Sequence, residues 1–135
     1  MIVHSSALMA VLNDDTEAGA VLRALSVGAS RMSAATMVEA GIVADARSTS
    51  HGERLDALVA AAHIELVPVS VRQAEIARLA YRRYGRGSGS RARLNYRDCF
   101  AYALSVAEGE PLLFVGDDFT CLLYTSPSPR DGLLS

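Results

Sequence analysis

Apolar and polar positions along this chain follow two rhythms, and the switches between them mark its elements. Met1-Ile2-Val3 is a short apolar run stopped by His4-Ser5-Ser6, after which Ala7 to Leu12 repeats with helical spacing. This is a strand feeding a helix. Asn13-Asp14-Asp15 supplies capping residues for a second helix, whose Ala18, Val21, Leu22 and Leu25 share one face and which runs out near Gly28. A brief extended piece around Arg31 and Met32 leads to Ser33, an N-cap for a third helix carrying Met37, Val38, Ile42 and Val43, with Glu39 inside it. Ser48 to Gly52 reads as a polar break, and Leu55, Leu58 and Val59 as a fourth helix ahead of the strand candidate Ile64 to Pro68. Ser70 and Gln73 have the spacing of a capping box, Val69 can act as the staple, and a helix follows to about Tyr84. Gly85 to Arg93 has the composition of a mobile loop. Asn95 caps a helix through Val106, Gly109 and Pro111 end it, and Leu112 to Val115 is a wholly apolar strand. Strands alternating with helices predict an α/β fold: a short parallel central sheet with helices on both faces, in three layers.

Composition narrows the picture without naming a function. Half of the 135 residues are apolar and 21% are charged, the balance of one folded domain. The formal net charge of −2 excludes bulk basicity as a source of nucleic-acid affinity, so such contact needs a local patch. Cys99 and Cys121 are too few and too far apart for a disulfide scaffold or a zinc ribbon. No apolar run approaches the ~18 residues of a spanning helix, and the expected location is the cytoplasm. From Cys121 onward the pattern lapses, and Ser126-Pro127-Ser128-Pro129-Arg130 has no period of either kind. The expected division is therefore a domain over 1–120 and a tail over 121–135, disordered or artefactual in the manner of a frameshifted gene end.

In a parallel α/β sheet, functional groups gather at the carboxyl ends of the strands. That rule selects His4 after the first strand and Asp117-Asp118 after the last, with Glu39 and Asp98 near the starts of largely apolar helices. Taken singly, each has an ordinary explanation: Asp98 serves a helix N-terminus, Glu39 pairs with an arginine, Asp117-Asp118 makes a turn, and His4 is a hydrogen-bonded histidine. Taken together they form an acidic cluster whose mutual repulsion calls for a cation, and Mg²⁺ or Mn²⁺ suits carboxylate oxygens. From Arg82 to Arg97 lie six arginines and no acid, interleaved with Tyr84 and Tyr96. This is the local basic patch, suited to RNA phosphates and unpaired bases.

The segments Met1-Ile2-Val3-His4-Ser5-Ser6-Ala7-Leu8, Val38-Glu39, Leu94-Asn95-Tyr96-Arg97-Asp98-Cys99-Phe100-Ala101-Tyr102-Ala103 and Leu112-Leu113-Phe114-Val115-Gly116-Asp117-Asp118-Phe119 together resemble the PIN-domain ribonucleases. The resemblance is to the VapC-type toxins of bacterial toxin–antitoxin pairs, and it covers roughly Met1 to Thr120. It implies a PIN-like three-layer fold and a metal-dependent endoribonuclease that hydrolyses RNA phosphodiester bonds, restrained by a cognate VapB-type antitoxin and commonly a homodimer. It implies catalytic roles for Glu39, Asp98 and Asp117, and a Mg²⁺ or Mn²⁺ site at His4, Glu39, Asp98, Asp117 and Asp118. It also implies RNA contacts from Ser6, Arg86, Arg91, Arg93 and Arg97.

Two features depart from the family's pattern. Position 4, where the family carries its first acid, is histidine here, and imidazole is a poor Mg²⁺ ligand. A catalytically impaired PIN domain acting as an antitoxin-binding module is thus the alternative reading. The other departure is the tail, which does not resemble the family's closing strand. A receiver-like signalling domain is the remaining rival, disfavoured because Asp14-Asp15 precedes a helix and does not end the first strand.

Overall fold

The computed structural model describes residues 1–90, 92–116 and Phe119. A two-residue strand explains its architecture. In β1 (Ile2–Val3), successive side chains must point to opposite faces of the sheet, and both are apolar. Ile2 joins a core with Leu94, Tyr102, Leu104 and Leu112, and Val3 joins another with Leu8, Met32, Leu55 and Leu113. A sheet apolar on both faces needs helices on both.

Those helices come from α1 (Ser5–Leu12), α2 (Ala18–Ser26), α3 (Ala34–Arg47) and α4 (Thr49–Ala61) on the Val3 side, and α5 (Val71–Tyr84) and α6 (Asp98–Glu108) on the Ile2 side. The strands β1, β2 (Arg31–Ser33), β3 (Glu65–Val67) and β4 (Leu112–Leu113) are all parallel, in the order β3-β2-β1-β4. Ile2 lies opposite Leu112 and Val3 opposite Leu113, while Arg31, Met32 and Ser33 register with Glu65, Leu66 and Val67. Each fully buried aliphatic side chain in these layers contributes roughly 1.5–3 kcal/mol. The three-layer α/β expectation therefore holds, and it places the carboxyl ends of β1, β2 and β4 side by side.

Two of the helix starts carry the expected caps. Ser33 Oγ accepts from the Ala35 N–H, and Ser70 Oγ accepts from the Gln73 N–H, although Gln73 Oε1 does not return the bond. Three expectations change. Asn13 closes α1 and Asp14 takes a left-handed φ of 53°, so this segment ends one helix, and α2 begins at Ala18 with no side-chain cap. Ser48 caps α4 at once, its Oγ accepting from the His51 N–H, so the polar residues 49–52 are helix and not a break. The last strand stops at Leu113, two residues short of the apolar run, because only Leu112 and Leu113 pair with β1. Gly109 ends α6 at φ 64°, a conformation that costs glycine little. The tail over 121–135 and its expected disorder lie outside the described residues.

Candidate metal centre and nucleic-acid interface

Because β1 is central, the turn from it into α1 meets the neighbouring segments on both sides. His4 is the N-cap of α1, its own N–H bonded to the Leu113 carbonyl of β4 at 3.0 Å. Its side chain is buried and sits 2.9 Å from Asp98 through Nε2 and Oδ1. The next residue, Ser5, donates its hydroxyl to Glu39 Oε1 at 2.7 Å. Two consecutive residues of one turn thus hold two of the carboxylates that the sequence singled out.

Asp98 is fixed from the other side as well. Its Oδ2 accepts the Asn95 N–H at 3.0 Å and its own N–H donates to Asn95 Oδ1 at 2.8 Å, a reciprocal cap at the start of α6. Asp98 is 2% exposed, so both carboxylate oxygens meet donors in a buried setting. Next to it, the Cys99 thiol is pushed up to about 11, first by burial and then by the Asp98 charge. Phe119 lies edge-on to the His4 ring with centroids 5.0 Å apart.

Among the described residues, no group of three or more His, Cys, Asp and Glu side chains is placed to hold a metal ion. Glu39 and Asp98 are hard oxygen donors of the kind Mg²⁺ or Mn²⁺ takes, and in that respect the residues fit such an ion. His4 is different, since its ring nitrogens face Asp98 on one side and Ser6 on the other. Asp117 and Asp118 lie outside the described residues.

The RNA-contact candidates separate into two places. Arg97 lines a hollow of about 440 Å³ with Glu39, Ala35, Val38, Ile42, Tyr96 and Phe100. Arg86 and Arg93 line another of about 750 Å³ with Gly87, Gly89 and Ser90, on the loop whose ends meet where Gly85 pairs with Leu94. Arg91 lies outside the described residues. Ser6 is turned inward: its Oγ accepts the Val115 N–H at 2.9 Å and lies 2.8 Å from His4 Nδ1, which leaves little of it to offer RNA. Sequence reasoning missed Ser5. Its only signal was its place beside His4 at a strand end.

The PIN domain family matches residues 1–121. The chain belongs to the PIN-domain family. Within it, the chain is 46% identical over 121 residues to ribonuclease VapC28 of Mycobacterium tuberculosis, covering 88% of this chain and 91% of that one. It is equally 46% identical to ribonuclease VapC of Mycolicibacterium smegmatis, covering 88% and 93%. Among solved structures, the fold is similar to Mycobacterium tuberculosis VapC20, described as a Sarcin-Ricin loop cleaving toxin, at a TM-score of 0.69, 15% identity and coverage of 90% and 93%. A toxin–antitoxin complex from Klebsiella pneumoniae is similar at a TM-score of 0.65 and 18% identity, covering 87% and 88%. The family membership removes the receiver-like reading, and Asp14 and Asp15 are exposed residues just past α1.

Proposed function

We propose that this PIN-domain protein is an endoribonuclease toxin of the VapC kind, cutting RNA phosphodiester bonds by hydrolysis at the carboxyl end of β1. The observation that carries this reading is the attachment of Glu39 and Asp98 to consecutive residues, Ser5 and His4, of a single turn. The names of the relatives as VapC ribonucleases support it and speak against a silent binding module.

Glu39 and Asp98, with Asp117 or Asp118 beyond β4, are the residues to hold Mg²⁺ or Mn²⁺. When bound, such an ion supplies charge neutralisation at the phosphate and a water of lowered pKa as nucleophile. Ser5 keeps Glu39 turned toward the site, and the Asn95 N–H does the same for Asp98. Arg97 shares its hollow with Glu39 and is a cation placed for a phosphate there, while Arg86 and Arg93 extend the basic track along the RNA. No side chain acts as a covalent nucleophile in this scheme.

A VapB-type antitoxin as inhibitor, a homodimer and a cytoplasmic location complete the proposal. Among the described residues, no helix is long and apolar enough to cross a membrane. The test is product chemistry. Water attack leaves RNA fragments without 2′,3′-cyclic phosphate ends, in a reaction that EDTA stops. Cyclic ends, or cleavage that EDTA leaves untouched, would replace this mechanism with attack by the RNA's own 2′-hydroxyl.

A further inference from the structure

Position 4 is where the chain leaves the pattern of its family, and the hydrogen bonds there define what the imidazole does. The Ser6 backbone N–H, fixed by the first turn of α1, points at His4 Nδ1 from 3.1 Å. A backbone N–H can only donate, so Nδ1 holds a lone pair and the ring proton sits on Nε2. Ser6 Oγ accepts from Val115 at 2.9 Å and has its own proton to give to Nδ1 at 2.8 Å. His4 Nε2–H then donates to Asp98 Oδ1 at 2.9 Å, while Asp98 Oδ2 takes the Asn95 N–H. The opposite tautomer would set a lone pair against a carboxylate oxygen in a buried pair and leave the Ser6 N–H without a partner. An unbroken run of bonds therefore crosses from Val115, just past β4, through the start of α1, to the start of α6.

We propose that His4 braces Asp98 in the metal-free protein: it is a fixed N–H donor that holds Asp98 in place, and it is not a metal ligand. Carboxylates alone at one strand end repel until a cation neutralises them. An imidazole with one ring proton cancels none of that charge, but its N–H satisfies Asp98 Oδ1, so Asp98 is held in place before any metal arrives. A divalent ion that uses Asp98 Oδ1 must share that oxygen with the His4 N–H, binding through its other lone pair. The first consequence rests on the hydrogen bonds alone, and the second rests also on the proposed role of Asp98 as a ligand.

The experiment uses the full chain labelled with ¹⁵N. Long-range ¹H–¹⁵N correlation reads the His4 tautomer in EDTA and again during titration with Mg²⁺ alone, with His4→Gln assigning the signals. Melting of the wild type, His4→Asp and His4→Gln is followed in EDTA and in Mg²⁺. The expected tautomer carries its proton on Nε2, and Mg²⁺ does not move it to Nδ1. His4→Asp, which brings another carboxylate and no donor, melts about 5–10 °C lower in EDTA and regains this in Mg²⁺. His4→Gln, whose amide donates from a similar reach, stays near the wild type in EDTA and gains no more from Mg²⁺ than the wild type does. A proton on Nδ1, or Mg²⁺ stabilising the wild type as much as His4→Asp, overturns the proposal. RNA cleavage enters neither readout, so a chain with the expected tautomer that cuts no RNA keeps this inference and loses only the nuclease reading.

Discussion

Replacing Asp98 by Asn changes one atom and, in this setting, breaks more than the charge. The carboxylate presents two acceptors to two donors, the His4 Nε2–H on Oδ1 and the Asn95 N–H on Oδ2. An asparagine amide has one acceptor and one donor, so in either orientation an N–H faces an N–H. Neither neighbour can adapt: the Asn95 donor is backbone, and the Ser6 N–H holds the His4 proton on Nε2. A hydrogen bond to a charged acceptor is lost and a buried donor is left unsatisfied, so Asp98→Asn destabilises the metal-free protein by about 2–4 kcal/mol. Urea titration in EDTA measures it, with a melting temperature about 10 °C lower as the cross-check. A second substitution isolates the pair. His4→Glu places an acceptor opposite the new amide, and the double variant should be more stable than the two single costs predict, by at least about 1 kcal/mol. If Asp98→Asn lies within about 0.5 kcal/mol of the wild type, or the double variant is simply additive, the hydrogen-bond arrangement argued for this turn is wrong.

Other parts of the molecule can be probed in the same way. A methyl group on Gly85 would collide with the Tyr81 carbonyl oxygen, so Gly85→Ala forces the start of the arginine loop away from α5 and should cost about 1–3 kcal/mol in a thermal or urea melt. With the Cys99 thiol at about 11 instead of 9.0, its thiolate fraction near pH 8 is about 100-fold lower, and, with the higher nucleophilicity of a more basic thiolate offsetting part of this, alkylation of the Cys99 peptide should be slower by about 10-fold or more in the folded chain than in urea. Substituting Arg86 and Arg93 by Ala should flatten the salt dependence of RNA binding, by about 0.7 in log–log slope for each phosphate that the loop no longer neutralises. An unchanged slope would leave that loop a solvated one.

The parts of the fold legible in the sequence are those where short-range chemistry and tertiary packing agree. The apolar pairs Ile2-Val3 and Leu112-Leu113 needed cover on both faces and received it, and Ser33 and Ser70 capped the helices they precede. Asn13-Asp14-Asp15 misled because the same residues suit the end of one helix and the start of another, and only the return of the chain toward β2 decides between them. The polar run after Ser48 looked like a break because the first turn of α4 has no apolar side chain to report its period. Within the site, Asp98 was visible both as a cap and as an acid, and its carboxylate both bonds the Asn95 N–H and faces His4. Ser5 was invisible because its importance lies in a partner 34 residues away. His4 was visible as a departure, but its bonding was not, since the orientation of the ring is set by the Ser6 backbone after folding.

Whether this chain cuts RNA at the turn after β1 is decided by the rate of single-stranded RNA cleavage in Mg²⁺ by the wild type, His4→Asp and Glu39→Gln, purified alike and each run against an EDTA blank. With the chemistry at Glu39 and Asp98, and position 4 short of a carboxylate, the wild type should cleave slowly and His4→Asp faster. Glu39→Gln should cleave no faster than its blank. Relative rates in Mn²⁺ should favour the wild type more than those in Mg²⁺ do, because a fourth carboxylate matters most to the harder ion. Glu39→Gln cutting RNA as fast as the wild type would contradict the proposed site at its centre.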